Sequence, residues 1–109
     1  MGNILPFTKG DLLALHSKVT AEAALLMQAK NDDYAHGNDA FRNFRRHGAY
    51  GVLVRLGDKL ARLDSFEERG EFSVKGEDVE DTVKDIVNYA IIYLGLKIEG
   101  SRNPDDGPK

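Results

Sequence analysis

Arg55, Asp58, Lys59 and Arg62 recur at three- and four-residue spacing. On a helix, that spacing gathers them within roughly 100° of one another as a cationic strip. Glu77, Asp81, Asp85 and Asn88 repeat the pattern with the opposite sign, within roughly 80°, so their side chains stack over successive turns of one face. A third polar group comes from Lys30-Asn31-Asp32-Asp33-Tyr34 and from Phe41-Arg42-Asn43-Phe44-Arg45-Arg46. Arginine forks bind phosphate oxygens bidentately, aromatic faces stack on bases, and asparagine amides pair with base edges. The chemistry these residue types suit is capture of a phosphorylated nucleotide. Lys30, Asp33, Tyr34, Phe41, Arg42, Asn43, Phe44, Arg45, Arg46, Arg55, Lys59, Arg62 and Asn88 are the candidate ligand contacts. The competing structural reading makes Phe41 and Phe44 core anchors and both charged strips solvated surface, with salt bridges worth under ~1 kcal/mol each. His16, His36 and His47 have no mutual spacing that suits a metal.

Helices must carry these strips. Thr8-Lys9-Gly10-Asp11 has the form of a helix start, with a hydroxyl at the cap and a carboxylate three residues on. Leu12, Leu15, Val19, Ala23, Leu26 and Met27 then recur at helical spacing and predict a first helix from Lys9 to Lys30. Asn31 to Ala40 is rich in turn formers and reads as an ordered loop. The aromatic-basic segment that follows reads as a short helix or irregular turn. Val52 to Leu63 predicts a second helix whose buried stripe is Leu53, Leu56, Leu60 and Leu63. Ser65 to Gly76 is a charged connector, with Phe66, Phe72 and Val74 available to pin it. A third helix is expected from about Glu77 to Lys97, with Val79, Val83, Ile86, Val87, Ala90 and Leu94 on one side. Beyond Asn88 it is apolar all round, which suits a central position in the bundle or an oligomer interface. Buried carboxylates on its earlier turns would need cations or a metal. The sequence therefore predicts an all-α protein, a compact bundle of three main helices plus a short one, in one domain over 1–98 that self-associates. The tail 99–109, with two prolines and two glycines, reads as disordered.

Composition sets the outer bounds. A chain of 109 residues fits one domain and one core. With 41% hydrophobic and 30% charged residues it is an ordinary globular sequence. The absence of cysteine excludes disulfides, thiolate zinc sites and cysteine catalysis, and suits a reducing cytoplasm. No signal peptide is legible, and Ile86 to Leu96 is too short and too interrupted to span a membrane. A net charge of −3 argues against coating of extended nucleic acid.

KNDDY, the NF of FRNF, RLGDKLAR and EDVEDTVKDIVNYAII together resemble the small helical, mostly phage-encoded proteins grouped as nucleotide modification associated domain 1. The likeness covers roughly Lys30 to Leu94. It sets Arg55, Asp58, Lys59, Arg62, Glu77, Asp81, Asp85 and Asn88 at the family's characteristic positions. It implies a phage setting, in the cytoplasm of the host cell, and nucleotide handling. A more distant likeness is to all-α nucleoside triphosphate pyrophosphatases of the MazG type, in which two pairs of acids on neighbouring helices hold Mg²⁺. Here Glu22 is the one acid in the middle of the first helix, Leu25 occupies its partner's position, and the second helix contributes Asp58 alone. The paired-acid cage is incomplete.

Three functions follow as expectations. The first is an oligomeric nucleotide-binding protein that sequesters its ligand, such as a cyclic dinucleotide defence signal, without cleaving it and without a cofactor. The second is a Mg²⁺-dependent pyrophosphohydrolase acting on the nucleotide pool, with Asp58, Glu77, Asp81 and Asp85 as metal ligands. The third is an interaction module with no nucleotide ligand, its charged strips forming intersubunit salt bridges.

Overall fold

The computed structural model describes residues 4–34, 37–70 and 78–102; the side chains of 31–34 and 78 lie outside the described set. Three long helices follow one another: α1 (Lys9–Tyr34), α2 (Gly48–Arg69) and α3 (Asp78–Gly100). A single 3-10 turn, Arg42–Phe44, precedes α2. The described residues contain no strand.

The start of α1 is capped as its sequence requires. The Asp11 amide donates to Thr8 Oγ1 at 3.0 Å, and the Thr8 amide donates to Asp11 Oδ2 at 3.0 Å, so two otherwise orphaned donors are satisfied reciprocally. Its other end lies beyond the boundary expected at Lys30. Asn31 to Tyr34 are helical rather than loop, because weak helix formers still propagate a long helix when no Pro or Gly intervenes. Their side chains, including those of Asp33 and Tyr34, are outside the described residues.

The second helix is also longer than its leucine pattern suggests. It begins at Gly48, whose φ of 62° favours a residue without Cβ, and runs through Phe66 into the expected connector. Gly70 ends it in the left-handed conformation, its amide donating back to the Glu67 carbonyl at 3.1 Å. The buried line of α2 is Val52 and Phe66, with Leu56, Lys59 and Leu63 half-buried between them. Leu53 and Leu60, expected in that stripe, are 41% and 50% exposed. Phe72, Val74 and the candidate metal ligand Glu77 lie outside the described residues.

The central element is α3. Lys18 pairs with Glu80 and Glu22 with Lys84, while Asn88 reaches Ala23, so α1 and α3 advance in the same direction. Lys59 pairs with Asp85 and Arg45 with Glu99, in opposite order along the chain, so α2 runs antiparallel to α3. The third helix continues to Gly100, three residues past Lys97, and Glu99 of its last turn is held by Arg45. The molecule measures 63 × 29 × 26 Å, elongated rather than the compact bundle expected, because α1 begins well before α3 does.

Candidate nucleotide cleft

The cleft is built around a close approach of two helices. Ala23 of α1 is 1% exposed, and its small side chain lets the buried Asn88 amide of α3 donate to the Ala23 carbonyl at 3.0 Å. A buried amide needs such a partner. Thr82, between one and two turns earlier on α3, is the other buried polar residue among those described. Past this contact a cavity of about 250 Å³ opens, lined by Met27 and Lys30 of α1, Asn43 and Phe44 of the 3-10 turn, Arg55 of α2, and Asp85, Asn88, Tyr89 and Ile92 of α3.

Its charges are arranged around one carboxylate. Asp85 lies 3.1 Å from Lys59 Nζ and 4.0 Å from Lys30 Nζ, one lysine from each flanking helix. The Arg55 guanidinium sits 5.6 Å from the centre of the Phe44 ring, a cation–π distance. Two lysines thus meet one carboxylate and Arg55 stands at the Phe44 ring beside them, so the described groups of the cleft carry a net positive charge. Phe44 and Tyr89 supply aromatic surface, and Asn43 and Asn88 supply amides. The arrangement can neutralise phosphate while it offers an apolar wall and directional hydrogen bonds to a base.

Six of the residues singled out from sequence therefore line this cavity: Lys30, Asn43, Phe44, Arg55, Asp85 and Asn88. Lys59 joins them through Asp85. Others are placed elsewhere. Arg45 donates to Asp39 at 2.7 and 3.0 Å and to both carboxylate oxygens of Glu99, tying the 3-10 turn to the end of α3. Those two carboxylates raise its pKa above the ordinary guanidinium value, and its hydrogen bonds hold the Asp39 and Glu99 carboxyls below theirs. Phe41 lies directly over Gly95, where an added Cβ would stand 2.7 Å from the ring. Its ring also lies 5.5 Å from the Arg45 guanidinium, so Phe41 is an anchor of the fold. Arg42, Arg46, Asp58, Arg62 and Asp81 are exposed and line no part of the cavity. No three His, Asp or Glu side chains gather to hold a metal among the described residues.

Met27, Tyr89 and Ile92 are cleft residues that the polar pattern does not reveal. Tyr89 and Ile92 belong to the apolar run after Asn88, and their helical spacing from Asp85 and Asn88 is the signal that places them on the same side.

An all-helical chain with a polar cleft between parallel and antiparallel neighbours is thus the class defined by fold and site. The family model described as nucleotide modification associated domain 1 matches residues 30–95, more than half of the chain, and the protein belongs to that family. The matched span contains every cleft-lining residue but Met27. No curated protein and no solved structure matches it. Among the described residues no helix is long and apolar enough to cross a membrane.

Proposed function

We propose that this protein binds and sequesters a nucleotide, a cyclic dinucleotide signal of phage defence being the ligand class in view, and does so as a homo-oligomer without breaking a bond. The observation that carries the reading is the cleft itself, where Lys30, Lys59 and Arg55 from two helices converge beside Phe44, Tyr89 and Asn88. Phosphate oxygens meet the cations, and a base lies against the aromatic wall. One N–H of the Asn88 amide is taken by the Ala23 carbonyl, which leaves its second N–H and its Oδ1 for a ligand. The size of the cavity adds a constraint. About 250 Å³ is just below the ~300–1,000 Å³ of ordinary small-molecule sites, so it takes one base and its sugar rather than a whole dinucleotide. The rest of a larger ligand lies at the open mouth. The phage setting comes from the family's likeness.

The test is a thermal-shift panel of linear and cyclic nucleotides with and without Mg²⁺, followed by recovery and chromatography of the ligand. A native-state ligand raises the melting temperature. Intact recovery is expected. Lys30→Ala or Arg55→Ala should weaken binding roughly 10- to 100-fold, since a charge-assisted hydrogen bond contributes about 1.5–3 kcal/mol. Arg46→Ala and Arg62→Ala, outside the cleft, should leave affinity unchanged. Absence of any shift would overturn the reading, as would a cleaved product appearing with Mg²⁺.

A further inference from the structure

Among the described residues, the apolar line of α1 is about twice as long as the part that α3 covers. Leu12, Leu15, Val19, Ala23 and Leu26 follow one another at helical spacing, and α3 covers the second half, where Val19 and Leu26 are half-buried and Ala23 is fully buried. The ion pair nearest the start of α1 is Lys18 with Glu80, two residues into α3. Lys9 to Ser17 therefore project beyond α3 as an arm of ~13 Å at about 1.5 Å per residue. On and before that arm, Leu12 is 60% exposed, Leu13 69%, Phe7 67%, Leu5 89% and Ile4 91%.

We infer that this arm is a self-association surface, on which the same segment of a second copy packs about a two-fold axis. Three observations point to a copy of the chain as the occupant. The arm is held helical to its tip by the reciprocal Thr8–Asp11 cap and by continuity with the rest of α1, so its apolar side chains stand on a preformed surface. Its exposed apolar side chains, Ile4 to Leu15, amount to on the order of 700 Å², close to the ~800 Å² that each partner contributes to a standard interface. Its charges balance, with Lys9 against Asp11 and Lys18 occupied by Glu80 and Glu22, so two identical arms meet without net repulsion. A two-fold contact closes at two copies and buries the patch of both, as isologous interfaces do. This takes up the self-association part of the reading above and is independent of nucleotide.

Light scattering on the nucleotide-free full chain tests it, so a failure to bind nucleotide leaves the result interpretable. The wild type should have the mass of two copies, or an even multiple. Leu12→Glu combined with Leu15→Glu should lower that mass to half or less, whereas Ile91→Glu combined with Leu94→Glu, on the exposed side of α3, should not. Should the α1 variant unfold, spin labels decide: the chain has no cysteine, so one label per chain reports only a distance between copies. Ala14→Cys should give a short inter-label distance and Lys97→Cys, at the far end of α3, a longer one. A monomeric wild type would overturn the inference and leave the arm to another partner. So would an α1 variant of undiminished mass, or a shorter distance from position 97 than from 14.

Discussion

Asn88 is the residue on which the packing of α1 against α3 and the lining of the cleft both depend, and its replacement separates two physical costs. Its Nδ2 group donates to the Ala23 carbonyl at 3.0 Å with only 9% of the residue exposed. Asn88→Ala removes that hydrogen bond, a net loss of about 1 kcal/mol, and leaves a gap that opens to the cleft, for a total of about 1–2 kcal/mol. Asn88→Asp is nearly isosteric yet costs more. It sets a carboxylate against a carbonyl that needs a donor, one helical turn from Asp85, and breaking a buried polar pair this way costs about 3 kcal/mol. The two variants also differ in pH dependence. Burial, the facing Ala23 carbonyl and Asp85 all disfavour the charged form and outweigh the cleft's lysines, which Asp85 already engages, so the introduced carboxyl has a folded-state pKa above its unfolded value of about 3.9. Its destabilisation is absent below that unfolded value and grows as pH rises through the folded one. At acid pH the protonated carboxyl donates to Ala23 and the gap to wild type narrows, while the gap for Asn88→Ala stays level. Urea unfolding from neutral to acid pH, with wild type measured at each pH, reads this directly as a midpoint shift at constant slope. If Asn88→Asp proved no worse than Asn88→Ala at neutral pH, Asn88 would not be the buried donor that joins the helices.

Val52, with no exposed surface, is the best-packed side chain of α2, and Val52→Ala should cost about 2 kcal/mol in urea unfolding. Acid should loosen α1 from α3. A Lys84 hydrogen bond holds the Glu22 carboxyl, and a Lys18 hydrogen bond the Glu80 carboxyl, below the ordinary 4.5. Their stabilisation is fully present above that value and is lost as pH falls through the lowered folded-state values. Protection of α1 amides against hydrogen exchange, taken relative to the intrinsic rate at each pH, should fall there, and Glu22→Gln with Glu80→Gln should flatten the dependence. Asp85→Asn should tighten binding of an anionic nucleotide, because it removes the carboxylate that competes for Lys59 and Lys30 while the bound phosphate takes over as their counter-charge; calorimetry showing weaker binding would contradict the cleft's charge assignment.

How far the sequence reveals this molecule depends on the kind of signal. The Thr8–Asp11 cap and the helical period of α1 are local, and the structure carries both as read. Helix ends are less legible. Asn31 to Tyr34 have low intrinsic helix preference, and only the continuity of α1 makes them helical. The leucines of α2 satisfy a helical period on either of two adjacent lines, and the partner helix selects the line of Val52 and Phe66 over that of Leu53 and Leu60. Periodicity shows that a stripe exists; which neighbour covers it is decided in three dimensions. The same limit applies to the basic-aromatic segment. Arg42, Arg45 and Arg46 are chemically equivalent in sequence, yet Glu99, more than fifty residues away, takes Arg45 for the fold.

Asp85, the one carboxylate among the described residues that line the cleft, is best understood as a condition of the cleft's being charged at all. Lys59 retains 25% of its side-chain surface and Asp85 22%, so neither is fully hydrated, and an unpaired charge in such a position is costly. Without Asp85, the Lys59 ammonium would lose its partner and the lysine of α1 would lose the carboxylate that draws it toward α3. The carboxylate therefore lets cationic groups from two helices approach one cavity before any ligand arrives. Its presence also sets how a phosphate enters: the incoming anion shares or displaces Asp85 at the lysines, and the gain is the difference between two ion pairs rather than the whole of one. A ligand must recover that difference from Arg55, the aromatic wall and Asn88. On the proposed reading, recognition rests on the base as much as on the phosphate, and a nucleotide should therefore bind more tightly than inorganic phosphate.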